Sequence, residues 1–299
     1  MTLVAVDWGT TSLRGALLDG AGRVLAEKSA PLGIANVPNG DFAAAFAAQF
    51  GAWMEPADRL CLISGMAGSR QGWREAPYAP CPAGLDELAK RLHWIERGRI
   101  ALVPGLSTES SGEAGSVPDV MRGEEVQIFG ALSLTGLADG LFVLPGTHNK
   151  WADVRDGRVT GFRTCMTGEV YGLLAQHSIL ARTLDSDAPL DEAAFRDGLA
   201  RAGNGQGLLH NLFGVRALAL FDRLTPAASP SYLSGVLIGE ELRTQPLAKV
   251  EEVVLIGAPA LIARYTLALS ALGVKTRALG NEAAWAGHWA LRLAMGAVT

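Results

Sequence analysis

Two stretches of this chain follow the same pattern, and together they limit the fold more than any other feature. Residues 3–28 read as an apolar strand (3–6), a polar Gly-containing turn (Asp7 to Ser12), a second strand (13–18), an Asp-Gly-Ala-Gly turn (19–22) and a third strand (23–28). Residues 141–162 repeat the order: an apolar strand, a turn at Gly146-Thr147, a returning strand from Trp151 to Val154, a turn at Asp156-Gly157 and another strand. The two meanders start 138 residues apart, at Leu3 and Leu141. Each half of the chain therefore opens with the same supersecondary unit.

Between them, residues 41–54 predict an amphipathic helix capped by Asp41, 59–63 a buried strand running into SGMAGS, 84–93 a helix and 99–103 a strand. Residues 122–135 predict a helix whose first turn carries Glu124 and Glu125, where acidic side chains complement the helix dipole. Beyond the second meander come helices at 168–183, 190–202, 207–223 and 230–243. A strand at 251–256, a helix at 259–272, a strand at 274–278 and a last helix at 282–296 follow. Strands and helices interleaved in this way give an α/β class, with mixed sheets because each half begins antiparallel. A length of 299 residues suggests two domains, divided as 1–137 and 138–299, with helix 282–296 packing back on the first.

Charge and composition exclude several classes. With 26 basic against 30 acidic residues the formal net charge is -4, which removes the electrostatic basis for broad nucleic-acid binding. At 49% hydrophobic and 19% charged, the chain can bury a large core. No run reaches the ~18 apolar residues of a membrane span. The first charge is Asp7 and no basic leader precedes it, so a cytoplasmic protein is expected. Cys61, Cys81 and Cys165 form no CxxC pair and read as reduced thiols, and the five histidines form no zinc pattern. A Walker P-loop and a G-x-S-x-G elbow are absent; GNGQG at 203–207 follows a helical stretch and lacks the last Gly of a dinucleotide fingerprint.

Three turns carry chemistry. Asp7-Trp8-Gly9-Thr10-Thr11-Ser12 joins a strand-end carboxylate to a Gly and three hydroxyls. Such a turn offers donors to phosphate oxygens, and Asp7 can hold Mg²⁺ directly or through water. Gly146-Thr147-His148-Asn149-Lys150 repeats the pattern with a cation, which suits a phosphate bearing developing charge. Either turn alone is equally well read as a hairpin satisfying its own backbone. The two together are explained at once by a phosphate chain clamped between them. At Gly257-Ala258 a buried strand passes into a helix, and small residues there let a flat ring lie against backbone.

The DWGTTSLRG hairpin, the MRGEE helix start, the PGTHNKW hairpin and the late LIGAPA turn occur in the order found in the sugar-kinase branch of the actin-like ATPase superfamily. More narrowly, VMRGEEVQIFGA, LPGTHNKW, FRTCMTGE and SGMAGSRQGW resemble the 2-dehydro-3-deoxygalactonokinase family over essentially the whole chain. The resemblance implies two actin-like (ribonuclease H-like) α/β domains flanking a cleft, with ATP and Mg²⁺ as cofactors. It also implies that 2-dehydro-3-deoxy-D-galactonate is phosphorylated on its C6 hydroxyl, in galactonate breakdown. A kinase for a related 2-keto-3-deoxy acid, or a nucleotide-gated sugar sensor without a catalytic base, are the alternatives.

On this reading Asp7 serves Mg²⁺, Gly9, Thr10, Thr11 and Ser12 the β-phosphate side, and Gly146, Thr147 and His148 the γ-phosphate, with Lys150 adding charge. Gly257 and Ala258 border the adenosine. A primary alcohol needs a positioned carboxylate to take its proton. Sugar kinases more broadly use an Asp; this sequence offers Glu124 and Glu125, of which Glu124 is preferred. The acid substrate calls for an Arg. Arg14, Arg70, Arg122 and Arg163 lie beside the motifs, Arg122 first among them, and Trp73 is placed to wall the sugar. Thr167, Gly168 and Glu169 either shape the site or cap a helix. Partners are then ATP and a small sugar acid, with no nucleic acid and no membrane; a homodimer is compatible with the reading.

Overall fold

The computed structural model describes residues 2–112 and 115–297. The first meander forms as expected: β1 (Leu3–Trp8), β2 (Leu13–Leu18) and β3 (Val24–Ala30) pair antiparallel in sequence order. Helix α1 (Phe42–Phe50) follows, its N-cap Asp41 accepting the Ala44 N–H at 2.9 Å. Strand β4 (Leu60–Gly65) is buried along its whole length because it pairs parallel with β1 on one side and continues the sheet on the other. Next come β5 (Ala79–Pro80), α2 (Leu85–Lys90), β6 (His93–Glu96) and β7 (Ile100–Leu102). The six-stranded sheet has order β3-β2-β1-β4-β7-β6, with β7 parallel to β4 and antiparallel to β6, so it is mixed.

A hairpin of β8 (Leu106–Gly112) and β9 (Gly115–Met121) forms a small second sheet with β5. Helix α3 (Glu124–Thr135) leads to β10 (Gly140–Leu144), β11 (Asn149–Arg155) and β12 (Arg158–Cys165), the second meander. Four helices follow: α4 (Thr167–His177), α5 (Glu192–Ala202), α6 (Leu208–Leu220) and α7 (Ser229–Arg243). Then come β13 (Glu252–Ile256), α8 (Pro259–Ala271), β14 (Lys275–Leu279) and α9 (Glu282–Ala297). The third sheet runs β12-β11-β10-β13-β14. This is the order of the first sheet through β7, meander first and later strands added beside its opening strand, so the repeated sequence pattern builds a repeated topology.

Three elements depart from the sequence expectation. The helix expected over 168–183 stops at His177, where the Ser178 hydroxyl donates to the Leu174 carbonyl (2.7 Å) and accepts the Leu180 N–H (3.0 Å), starting a 3-10 turn at Ile179–Thr183. The helix expected over 84–93 ends at Lys90 and yields to edge strand β6. The hairpin at 106–121 was not expected at all.

The chain divides into two compact units: residues 1–142, 150–163 and 279–299 form the first, and 143–149 with 164–278 the second. In the first, Trp8 sits in a core with Phe42, Phe46, Phe50 and Ile63, its indole N–H donating to the Leu32 carbonyl at 2.8 Å. Helix α9 lies directly on α3. A Cβ added at Gly130 would fall 1.8 Å from the Ala283 carbonyl, and one at Gly287 would fall 1.9 Å from the Val126 carbonyl. Among the described residues no helix is long and apolar enough to cross a membrane.

Candidate active site

The β1 register places Asp7 opposite Arg14 on β2 and Ser64 on β4. Asp7 Oδ2 is ion-paired with Arg14, whose other nitrogen donates to Asn281. Beside Oδ1 the backbone leaves room by using two glycines. Gly65 ends β4 at φ 87° and Gly123 caps α3 at φ 106°, both in the left-handed region. A Cβ at Gly65 would stand 3.2 Å from Asp7 Oδ1, and one at Gly123 only 3.1 Å from the Gly65 Cα. The SGMAG and MRGEE motifs thus meet glycine to glycine next to the β1 carboxylate.

Behind Gly123 the two glutamates part ways. Glu124 is half-buried, and its carboxylate accepts the Arg122 N–H at 2.9 Å. Burial raises its pKa; the Lys150 ammonium opposes that shift and the Asp7 charge adds to it. Glu125 is fully buried and accepts the Gly123 N–H at 2.7 Å, while its Oε1 has no partner among the described residues. Burial, reinforced by the Glu124 charge, pushes its pKa up to about 8. Lys150 is buried on β11 with Nζ donating to the Val120 carbonyl at 2.7 Å. Arg122 is also buried. Its Nη2 donates to the Ala76 carbonyl (2.7 Å) and its guanidinium lies 4.3 Å over the Tyr78 ring. Its Nε and Nη1 find no partner among the described residues, an unusual state for a buried cation unless a ligand completes it.

At the first turn, Thr10, Thr11 and Ser12 are exposed, but the Gly9 N–H is occupied by the Ser12 carbonyl at 2.8 Å.

The second unit carries its own cavity, of about 460 Å³, within the size range of ligand pockets. Its walls are the turn residues Gly146, Thr147 and Asn149, the first turn of α4, the middle of α7 and the first turns of α8. The N-terminus of α4 is pressed onto the turn: the Glu169 N–H donates to the Thr147 carbonyl (2.9 Å), and a Cβ at Gly168 would fall 2.0 Å from the Gly146 carbonyl. His148 Nε2 and Glu169 Oε2 are 2.5 Å apart at the exposed edge. Gly257 and Ala258 lead into α8 but do not line the cavity.

Buried Glu241 of α7 holds the cavity's walls together. Its Oε2 accepts from Asn149 Nδ2 (2.8 Å), from the Tyr265 hydroxyl of α8 (2.7 Å) and from the Thr167 hydroxyl of α4. Burial and this carboxylate hold the Tyr265 hydroxyl well above its ordinary pKa. Sequence reasoning named Asn149 within its turn without giving it a role, and missed Glu241 and Tyr265. The one available signal was the recurrence of Gly-Glu-Glu at 239–241, matching 123–125, with the second Glu buried in both.

The structure gathers Asp7, Arg14, Arg122, Glu124, Glu125 and Lys150 in the first unit, and Gly146 and Thr147 at the cavity of the second. Gly257 and Ala258 lie outside that lining, and Arg70 and Trp73 are engaged elsewhere. Arg70 is exposed and paired with Glu75 at 3.0 Å. Trp73 packs its ring against Trp8 and Phe46, at centroid distances of 6.2 and 5.5 Å, as part of the core. Arg163 is exposed on β12.

Known proteins share this arrangement along its length. A family profile described as 2-keto-3-deoxy-galactonokinase matches residues 7–291. The Rhizobium meliloti (strain 1021) protein named probable 2-dehydro-3-deoxygalactonokinase is 38% identical over 95% of this chain and 94% of its own. The 2-dehydro-3-deoxygalactonokinase of Escherichia coli (strain K12) is 33% identical over 94% of each. A crystal structure of a Sinorhizobium meliloti protein, named as a candidate for the same kinase, superposes with a TM-score of 0.87 at 37% identity and covers 99% of both chains. With the profile spanning nearly every residue, the chain belongs to the 2-keto-3-deoxy-galactonokinase family.

Proposed function

We propose that the protein transfers the γ-phosphoryl group of ATP to the C6 hydroxyl of 2-dehydro-3-deoxy-D-galactonate in the cytoplasm, giving the 6-phosphate and ADP. The observation that carries this reading is the acid pair at the head of α3, beside Asp7. One member, Glu125, is buried with a raised pKa; the other, Glu124, is half-buried next to Lys150. Phosphoryl transfer asks the protein mainly for alignment, charge neutralisation and one proton acceptor.

Glu124 is the base. Its raised pKa brings it closer to neutrality, where a proton acceptor is most effective, and it is the less buried of the pair. Glu125 holds the Gly123 N–H and so sets the start of α3. The unpartnered N–H groups of Arg122 receive the substrate carboxylate. The nucleotide occupies the cavity of the second unit, with its phosphates on the Gly146-Thr147 turn.

The residues present fit Mg²⁺. Asp7 commits Oδ2 to Arg14, whereas Oδ1 borders the space that a Cβ at Gly65 would narrow. No set of three or more His, Cys, Asp or Glu able to hold a metal occurs among the described residues, so a single carboxylate with phosphate and water ligands suits this ion best. Held by Asp7, Mg²⁺ would supply charge neutralisation for the phosphates.

The test is ADP release with each of several 2-keto-3-deoxy acids. Turnover stimulated most by 2-dehydro-3-deoxygalactonate supports the reading. ATP binding with no stimulation by any acid replaces it with a sugar sensor, and preference for another acid replaces the substrate.

A further inference from the structure

The kinase reading leaves one surface of the second unit without a role. Helix α6 spells LLHNLFGVRALAL, apolar on every side, the composition of a helix covered all round. Only one side is covered: Asn211 and Val215 are buried, and Leu212 and Leu218 pack into the core with Leu233 and Val236. The opposite side presents Leu209, Phe213, Leu220 and, past the helix end, Phe221, which are 84, 63, 60 and 78% exposed. Monomers scatter exposed apolar side chains singly; a contiguous group of this size marks a contact surface.

The spacing of the stripe points to its occupant. Leu209, Phe213, Arg216 and Leu220 stand at i, i+4, i+7 and i+11, along one line of the helix. The intervals of four, three and four residues read the same from either end. A two-fold axis across the middle of α6 therefore sets Leu209 against the partner's Leu220, and Phe213 against the partner's Arg216. The contact is an inner pair of cations over rings, flanked by two leucine pairs.

A pattern that matches itself on reversal suits a second copy of the same chain, and a flat lipid surface gains nothing from it. Beside the stripe lies a recess of about 600 Å³ that Phe213 and Phe221 line together with Tyr232. Asp197, Arg201 and Arg223 border it. Covering Leu209, Phe213 and Leu220 in both copies removes roughly 800 Å² of surface, the apolar centre of a contact whose rim must come from the residues around it. We propose that the protein forms a two-fold dimer through an antiparallel pair of α6 helices.

Two paired variants test the surface and the register: Leu209→Glu with Leu220→Glu, and Leu209→Glu with Leu220→Lys. In the proposed pairing the first sets like charges against each other and the second sets opposite charges together, whereas a parallel pairing would set like charges together in both. Sedimentation equilibrium over a concentration series reads the outcome, with circular dichroism confirming the fold. The wild type and the Glu/Lys variant are expected at twice the chain mass, and the Glu/Glu variant at the chain mass. ATP turnover per chain stays at the wild-type level, since neither leucine touches the cavity or the acid pair. A wild type that stays at the chain mass, whether or not it co-sediments with anionic vesicles, overturns the dimer. A Glu/Glu variant that keeps the doubled mass overturns the surface. A Glu/Lys variant that falls to the chain mass overturns the antiparallel register.

Discussion

Two adjacent carboxylates at a helix start can answer burial differently, and Glu124 and Glu125 do. Glu124 keeps a counter-charge in Lys150, so replacing it with Gln removes the proton acceptor while the shape stays. Glu124→Gln is expected to lower kcat about 10²- to 10⁴-fold, with both KM values little changed, in steady-state assays. For Glu125 burial and the Glu124 charge outweigh the Arg122 guanidinium, and its folded-state pKa of about 8 lies above the ordinary value of 4.5. The folded state therefore holds a proton that the unfolded chain has already lost. Stability is unpenalised below the lower value, declines as the pH rises toward the upper one, and stays reduced above it. Glu125→Gln removes that dependence. It should unfold at higher urea than wild type at about pH 9, with the difference vanishing toward about pH 4. At Arg122, Lys keeps the charge but not the planar fork. Arg122→Lys is expected to raise KM for the sugar acid about tenfold and leave KM for ATP unchanged. The sequence pointed to all three residues because MRGEE concentrates charge where a helix must begin. It did not show which glutamate is buried, since that depends on Gly65 and Gly123 meeting across sixty residues of chain.

Among the elements, legibility followed hydrophobic contrast. Strand β1 is a run of apolar residues and α1 has an Asp cap, and both begin where the pattern puts them, although α1 tightens into a 3-10 turn at Gly51–Met54. The β8–β9 hairpin has no such contrast: Ser107, Thr108 and Glu109 lie on one arm, Ser116 and Pro118 on the other, and most of β9 is exposed. Nothing in that stretch alternates, so its pairing comes from the chain reversal and from β5 rather than from a buried face. Glu241 was hidden for the opposite reason. In a helix reading GEELR a carboxylate looks solvated, and only the tertiary arrangement of the 146–149 turn, α4 and α8 around it reveals a buried acceptor. The α3–α9 contact was equally silent, because Gly130 and Gly287 are ordinary small residues until the two backbones touch. Gly287→Ala forces a methyl against the Val126 carbonyl. The expected cost is about 1–3 kcal/mol, measured by thermal or urea unfolding, while an alanine at open Gly296 should cost little.

For the molecule as a whole, the sequence indicates two parts with a border near residue 137, and the first change of unit along the chain falls at 142/143. The sequence also predicts that helix 282–296 returns to the first part, but it does not reveal that residues 150–163 join the first unit as well, a fact of packing rather than of pattern. Helix α9 belongs to that unit through Ala283, Trp285, His288 and Leu291, all buried. A chain ending after Ala278 should lose the cooperative unfolding of its first unit and bind a hydrophobic dye, while the full chain does neither. The same interleaving has a consequence during synthesis. Ribosomes deliver the meander of β1 to β3 first, yet the helix that roofs α3 emerges only after the entire second unit. The nascent N-terminal portion must therefore wait with an uncovered apolar face, a stage at which chaperone binding would protect it from aggregation.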